Sequence, residues 1–213
     1  MSKVFLVLRQ MNENKLRVCA GAYGLFVKLG IKSVTMDDIA KEMAISKRTL
    51  YELFDNKNEL VEVAVTAYFE VECEIIDTIT ANSINAIDEV AKISTYLKKV
   101  FHSFNPSILY DMKKYHPSAY ELYRSYKCGR LMKSVSENIY KGIKESLYRD
   151  DIDVEILSKM RLAQVELMFD SDVYPVLDYT LYDINLQLFE HFIMGLVTPK
   201  GYDLYTKYKK ENE

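Results

Sequence analysis

The chain has 213 residues, 49% of them hydrophobic, which is enough for one or two domains with a core of their own. Only 7 Gly and 4 Pro occur, and runs of alternating β-branched residues are rare, so the composition favours an all-α protein. A formal net charge of −3 taken alone argues against a nucleic-acid-binding protein.

The charge is unevenly distributed along the chain. Residues 1–60 carry 10 Lys+Arg and 7 Asp+Glu, a balance of +3, whereas residues 61–213 carry the remaining 18 and 24, a balance of −6. A basic head on an acidic body fits a small DNA-reading module attached to a larger domain, although ordinary surface scatter can produce the same modest difference.

Cysteine usage and hydropathy restrict the chemistry and the compartment. Cys19, Cys73 and Cys128 are odd in number and far apart, so neither a disulfide framework nor a zinc site is indicated, and no metal or cofactor is expected. A reducing, cytoplasmic location suits this pattern. The apolar run at residues 4–8 is too short for a signal peptide and reads as an arm or an extension of the first helix, and no later segment predicts a membrane span.

The first predicted helix runs from about Asn12 to Leu29, with apolar residues at helical spacing and Gly30 at its C-terminal cap. Gly21 and Gly24 each cost this helix about 1 kcal/mol relative to Ala, and close packing of another helix would account for them.

Two short helices joined by a tight corner follow. Thr35 is placed to cap one and Ser46 to cap the other, with the corner at residues 44–46. Leu50 and Phe54 turn inward from the later helix, while Lys47 and its neighbours stay on the outer side. This pattern is typical of a helix-turn-helix, in which the second helix lies in a DNA groove.

Further helical segments are predicted along the rest of the chain. They span about 57–80, 85–104, 106–115, 117–147, 154–169 and 180–196, with Asn105 and Pro106 as cap and first residue of the third of these. Pro199 and Gly201 are expected to end the last helix and to be followed by a polar tail.

The two segments 154–169 and 180–196 are apolar around most of their circumference, which indicates burial on more than one side. A four-helix interface with a second copy of the chain would provide the additional contact, and a hairpin buried within one subunit is the alternative. The residues predicted at the dimer interface are Leu162, Val165, Phe169, Phe189, Ile193 and Leu196.

The segments 35–40 (Thr-Met-Asp-Asp-Ile-Ala) and 45–51 (Ile-Ser-Lys-Arg-Thr-Leu-Tyr), followed by Phe54, Lys57 and Leu60, resemble the N-terminal signature of the TetR family. Ala44 departs from it, because the family usually has Gly at this corner. The resemblance implies an all-α homodimeric repressor: a helix-turn-helix DNA-binding domain at residues 1–60 and a larger helical ligand-binding and dimerisation domain at 61–213. It also implies that a small apolar or amphipathic effector releases the protein from a palindromic operator on double-stranded DNA.

The predicted DNA contacts follow from side-chain chemistry. Arg48 can donate two hydrogen bonds to a guanine edge, and Lys47 can reach a base or a phosphate. Thr49 and Tyr51 carry hydroxyls for phosphate oxygens, and Thr35 and Ser46 lie at helix N-termini that attract anions. Lys57, at the start of the next helix, is predicted to contact phosphate. The alternative for each is an ordinary solvated charge, a cap or a packing role.

The segment between residues 61 and 147 is rich in aromatic residues and methionine, as apolar effector pockets are. Ordinary core packing is the alternative for each residue, and the pocket as a whole depends on the family resemblance. The pocket candidates are Phe69, Phe101, Phe104, Tyr110, Tyr120, Tyr123, Tyr126 and Met132.

Three other functions compete with a DNA-binding regulator. No recognisable catalytic motif occurs, so an enzyme is not expected and no catalytic residue is assigned. A helical ligand-binding or protein-interaction adaptor that does not bind DNA is the main alternative. The residues that argue against it are Lys47, Arg48, Tyr51 and Lys57. A regulator that senses oxidation through Cys73 or Cys128 is the third.

Overall fold

A computed structural model describes residues 13–175 and 178–212, and this part of the chain folds into helices with one isolated bridge between Tyr148 and Val197. The all-α prediction is confirmed. The helices are α1 Glu13–Leu29, α2 Met36–Glu42, α3 Lys47–Leu53, α4 Lys57–Ala81, α5 Ala86–Phe101, α6 Ile108–Tyr115, α7 Pro117–Tyr126, α8 Met132–Lys144, α9 Val154–Leu167, α10 Leu181–Leu196 and α11 Pro199–Asn212. The predicted arm at residues 4–8 lies outside the described residues.

Two predicted boundaries in the middle of the chain are wrong. Helix α6 begins at Ile108 rather than Pro106, because the Asn105 side chain accepts a hydrogen bond from the amide of Ser107 at 2.9 Å and forms a turn there. The helix predicted over 117–147 is interrupted by a π-helical segment, Lys127–Leu131, and ends at Lys144.

Helix α11 replaces the predicted polar tail. Pro199 does not stop the chain from being helical, because proline fits the first position of a helix. Gly201 lies so close to the Leu147 carbonyl that a β-carbon would be 2.1 Å from its oxygen. Leu204, Tyr205 and Tyr208 follow at helical spacing and pack into the core.

The described residues form two compact units. Their division of the chain is not the one predicted from the sequence, which placed a single boundary after residue 60. Unit 1 comprises the residues up to Glu74 together with Ser103–Tyr126, and unit 2 comprises Ile75–His102 together with the chain from Lys127 onward. The boundary falls inside α4, so this helix contributes to both units.

Hydrogen bonds tie the segment 103–126 to the C-terminal end of α1 within unit 1. The Asn105 amide donates to the Val27 carbonyl at 2.6 Å, and the Asp111 carboxylate accepts from the Lys32 amide at 2.8 Å. The chain can approach this closely because Gly30 caps α1 with φ 80°, in the left-handed region that favours glycine.

Each unit has its own hydrophobic core. The core of unit 1 includes Val18, Ala22, Phe26, Ile39, Leu50, Phe54 and Leu60, and that of unit 2 includes Ile87, Ile139, Tyr148, Phe192, Ile193 and Leu196. Of the two glycines inside α1, Gly21 lies against Met43, whereas Gly24 has no neighbour within 4 Å of the position that a β-carbon would occupy. No described helix is long and apolar enough to cross a membrane.

Candidate nucleic-acid interface

Helix α2 begins with a complete capping box. The Thr35 hydroxyl accepts a hydrogen bond from the Asp38 amide, and the Asp38 carboxylate accepts from the Thr35 amide at 2.8 Å and from its hydroxyl at 2.6 Å. The hydrogen bonds from Thr35 hold the pKa of Asp38 below its usual value. Thr35 therefore fixes where α2 starts, and it is exposed at that point.

The corner between α2 and α3 uses an unusual backbone conformation. Ala44 has φ 52°, in the left-handed region where a side chain is strained. Ser46 then caps α3, because its hydroxyl accepts from the Thr49 amide at 3.0 Å and lies 2.8 Å from the Thr49 hydroxyl. The sequence analysis identified this corner, and the positive φ shows why glycine would suit residue 44.

One side of α3 is fixed in the core and the opposite side faces solvent. Leu50 is fully buried, as is Phe54 directly after the helix. The Arg48 side chain is 89% exposed, the Lys47 side chain 59% exposed and Tyr51 45% exposed. The buried leucine thus holds the backbone while these three side chains project from it, and we name Lys47, Arg48 and Tyr51 the basic ridge.

Both cations of the basic ridge have a carboxylate partner in this structure. The Lys47 ammonium lies 2.8 Å from Asp37, which raises the pKa of Lys47, and Arg48 donates to Glu52 at 3.0 Å. Such exposed pairs contribute at most about 1 kcal/mol, so a phosphate or a guanine edge can replace the carboxylate at little cost. The four-residue spacing from Arg48 to Glu52 is a signal in the sequence for this ion pair, whereas the contact between Asp37 and Lys47 depends on the corner.

The side chain of Lys57 packs against the turn after α1, whereas those of the basic ridge project into solvent. Its ammonium donates to the Ile31 carbonyl at 2.5 Å, and partial burial lowers the pKa of Lys57. In this conformation Lys57 stabilises the turn after α1 instead of extending toward solvent. The phosphate contact of Lys57 stays a prediction, and it would require the ammonium to leave the Ile31 carbonyl.

The predicted pocket residues are divided between the two units. Phe69, Phe104, Tyr110, Tyr120, Tyr123 and Tyr126 belong to unit 1, and Phe101 and Met132 belong to unit 2. In unit 1, Phe69 stacks on Tyr126 with ring centroids 4.4 Å apart, which is ordinary aromatic packing, and Tyr110 is largely exposed. In unit 2, Phe101 packs edge-on against Phe169.

Unit 2 contains a polar cavity of about 100 Å³ that the sequence analysis did not anticipate. Its lining includes Asp77 bonded through both carboxylate oxygens to Arg130, and the buried Glu89 bonded to Lys141 at 3.0 Å. In each of these two ion pairs the negative charge of the carboxylate is neutralised by the positive charge of its partner, so the two pairs give the cavity no net charge.

The residues predicted at the dimer interface lie mostly inside a single chain. Leu162, Phe189, Ile193 and Leu196 are buried, and Val165 and Phe169 are half-buried. The apolar residues that α9 leaves exposed are instead Ile156, Met160 and Leu167, at intervals of four and seven, and α10 leaves Met194 exposed. The same spacing argument could have found this outer stripe, but the sequence does not show which side of an all-round apolar helix is covered.

Comparison with known proteins agrees with the geometry of the head. The sequence model of the bacterial regulatory proteins of the tetR family matches residues 19–64. The uncharacterized HTH-type transcriptional regulator YvaF of Bacillus subtilis strain 168 is 32% identical over 105 residues, which are 49% of this chain and 55% of that protein. The match thus spans about half the length of this curated relative.

Solved structures show that the fold extends over most of the chain. A TetR-family regulator from Agrobacterium tumefaciens superposes with a TM-score of 0.71 at 14% identity, covering 87% of this chain and 98% of that one. A transcriptional regulator from Saccharomonospora viridis, solved in complex with choline, has a TM-score of 0.69 at 16% identity, covering 88% of this chain and all of that one. Residues 19–64, which contain the helix-turn-helix, thus match the tetR family of bacterial regulatory proteins, and the solved structures share the fold of most of the chain.

Proposed function

We propose that this protein is a transcriptional repressor that binds a palindromic operator as a homodimer and is released by a small-molecule effector. The observation that carries the proposal is the basic ridge, which projects into solvent from a helix anchored by the buried Leu50. An α-helix with exposed Lys, Arg and Tyr side chains fits the major groove of DNA.

Each group at the ridge has a role that its chemistry supports. Arg48 reads a base edge, because its guanidinium offers paired donors and is the most exposed of the three side chains. Lys47 and Tyr51 contact the DNA backbone or a base. Thr35, Ser46 and Thr49 lie at the N-terminal ends of α2 and α3, where exposed hydroxyls and helix ends favour phosphate oxygens.

A second copy of the chain is the partner proposed for the outer stripe of α9. Ile156 is 63% exposed and Met160 40% exposed, one turn apart on the same face of the helix. Pairing this stripe with its equivalent gives an isologous interface, as two-fold dimers require. Glutamate at both positions should yield a monomer in sedimentation experiments, whereas Tyr202→Glu, at an exposed aromatic position outside the stripe, should leave the dimer intact.

The release mechanism is a shift between two conformations. In one, the two copies of α3 are about 34 Å apart, one turn of DNA, and in the other this spacing is changed. An effector that favours the second conformation by about 3 kcal/mol weakens DNA binding roughly a hundredfold. Helix α4 can transmit the change because it starts in unit 1 and ends in unit 2. The choline bound to the Saccharomonospora viridis relative supports a small-molecule effector.

In vitro selection of random duplexes with the purified full-length protein tests this function. We expect enrichment of a palindrome whose half-sites are about one helical turn apart. The Lys47→Ala/Arg48→Ala double variant should enrich nothing above background. The Lys113→Ala/Lys114→Ala variant, which removes another adjacent pair of exposed basic residues, should enrich the same palindrome. Enrichment of the palindrome by the ridge variant would refute the proposal.

A further inference from the structure

Arg161 on α9 is a buried cation without a carboxylate partner among the described residues. It is 5% exposed, donates to the Asn185 side-chain oxygen at 3.1 Å and approaches the Gln164 side-chain oxygen at 3.4 Å, with its guanidinium 4.9 Å from the centre of the Phe189 ring. Burial lowers the pKa of Arg161 to about 10, which leaves it charged at neutral pH. Its contacts in the described part of the protein interior are thus with the neutral side chains of Asn185, Gln164 and Phe189.

Other buried charged groups in unit 2 have a partner of opposite charge. Glu89 accepts from Lys141 at 3.0 Å, and Asp88 accepts from Lys92 at 2.7 Å. An interior charge normally has such a counter-charge because removal from water is costly. Arg161 lacks one in this state, so a group that supplies a negative charge would be strongly favoured beside it.

Ser158 provides a second, independent observation at the same place. It is fully buried, and its hydroxyl oxygen has no hydrogen-bond partner within the described part of the chain. Hydroxyls in other helices of this protein donate to the carbonyl four residues earlier, as Thr95 does to Ala91 at 3.0 Å and Ser136 to Met132 at 2.8 Å. Ser158 does not, which leaves a donor unused inside the protein.

Ser158 and Arg161 lie on the same face of α9, because residues three apart are neighbours on a helix surface. Leu162, next to Arg161 in the chain, and Ile184, next to Asn185, are also buried. A guanidinium binds a carboxylate through two parallel hydrogen bonds, and a nearby hydroxyl can donate a third. Phosphate fits less well, since its second negative charge would have no partner at a single buried arginine.

We propose that Arg161 and Ser158 form the binding site for the carboxylate of an organic acid with an apolar body. The effector role of this acid rests on the function proposed above, whereas its binding does not. Gln164 is half-buried and its side-chain oxygen makes a long contact of 3.4 Å to Arg161, so displacement of this side chain gives the ligand a route to the guanidinium.

Ligand binding to the full-length protein without DNA tests the site. The probes are octanoate, the neutral 1-octanol, the cationic octylamine and octyl phosphate, with calorimetry and thermal unfolding as readouts. We expect octanoate to bind and to raise the melting temperature, and the other three to bind at least about tenfold more weakly, because only octanoate supplies one matched negative charge. Equal binding of octanoate and octanol, or tighter binding of octyl phosphate, would overturn the carboxylate assignment.

Variants locate the site. Arg161→Met should weaken octanoate binding by about tenfold or more, and Ser158→Ala by several-fold, while Arg124→Met, at an exposed arginine, should bind as the unaltered protein does. If Arg161→Met does not fold, Ser158→Ala decides, since it removes a hydroxyl that has no partner. Unchanged octanoate affinity in Ser158→Ala, or no octanoate binding to the unaltered protein, refutes the site.

A separate measurement distinguishes this inference from the function on which it rests. The affinity for the selected operator is measured with and without saturating octanoate. Binding that depends on Arg161 but leaves operator affinity unchanged would uphold the carboxylate site and contradict its effector role. If octanoate releases the operator from the unaltered protein but not from Ser158→Ala, both the carboxylate site and its effector role are supported.

Discussion

Two serines, one in each unit, differ in both the burial and the hydrogen bonding of their hydroxyls. Ser46 is exposed at the start of α3, and its hydroxyl is bonded to Thr49. Ser158 is buried in α9, and its hydroxyl has no partner among the described residues. The first stabilises a helix end, whereas the second costs stability, because a buried donor has lost its hydrogen bonds to water.

Two arginines repeat the contrast. Arg48 is exposed and pairs with Glu52, while Arg161 is buried and touches only neutral groups. An exposed cation can exchange its partner for DNA at little cost. A buried one without a counter-charge is costly, and we interpret it as part of a ligand site. The functional cation of the helix-turn-helix is thus exposed to solvent, whereas the one proposed in unit 2 is buried.

The largest effect is expected where the exposed ridge depends on a buried anchor. Leu50→Ala should lower the free energy of unfolding by about 2–5 kcal/mol, because Leu50 is fully buried and its removal leaves a cavity. Urea denaturation measures this loss. The neighbouring Tyr51→Ala is the control and should change stability far less, since Tyr51 is 45% exposed. Equal effects of the two variants would mean that α3 is not oriented as described.

The two serines should respond to alanine with opposite signs. Ser46→Ala should destabilise by about 1 kcal/mol through the lost cap. Ser158→Ala should stabilise by about 1 kcal/mol, because it removes an unpartnered buried hydroxyl and introduces the residue with the best helix propensity. Thermal and urea unfolding of both variants, measured in parallel, gives the comparison. Destabilisation by Ser158→Ala would show that its hydroxyl is bonded in solution.

Ala44→Gly should stabilise the head by about 0.5–1 kcal/mol. The left-handed conformation at φ 52° costs an alanine about 1–2 kcal/mol, and the greater freedom of glycine in the unfolded chain offsets part of the gain. Ser146→Gly is a matched variant at the other described non-glycine residue with positive φ, which lies in unit 2. A lower melting temperature for Ala44→Gly would contradict the strain at the corner.

The smallest effect is expected from the acidic partners of the ridge. Asp37→Asn should strengthen operator binding a few-fold, because Lys47 no longer has to leave a carboxylate to reach DNA, and exposed ion pairs are weak. Fluorescence anisotropy at fixed salt measures the change. Glu121→Gln, which removes an acid paired with Arg124 outside the ridge, is the control and should have no such effect.

Helix positions in the head were predictable because local signals agree with one another. Thr35 and Ser46 have both the sequence preference and the observed geometry of N-terminal caps, and Gly30 has the positive φ of a C-terminal cap. The role of Lys57 was not predictable in this way, because its contact to the Ile31 carbonyl depends on a turn 26 residues earlier in the chain.

Unit 2 shows where prediction from the sequence stops. The apolar periodicity located α9 and α10, but both are apolar on several sides, so the buried Leu162 could not be told from the exposed Met160. The sequence does not predict the burial of Arg161, because a single basic residue in a helix is usually solvated. Its burial depends on contacts with Asn185 and Phe189, which the sequence does not place beside it.

The most direct test of the central claim, that the basic ridge reads DNA from two copies of α3, is the base preference of Arg48→Ala on the selected operator. Every single-base variant of the operator is measured with the unaltered protein and with Arg48→Ala. We predict that Arg48→Ala loses about 1–3 kcal/mol of preference at one base pair in each half-site and keeps its preferences elsewhere. Identical preferences for the two proteins would contradict the account.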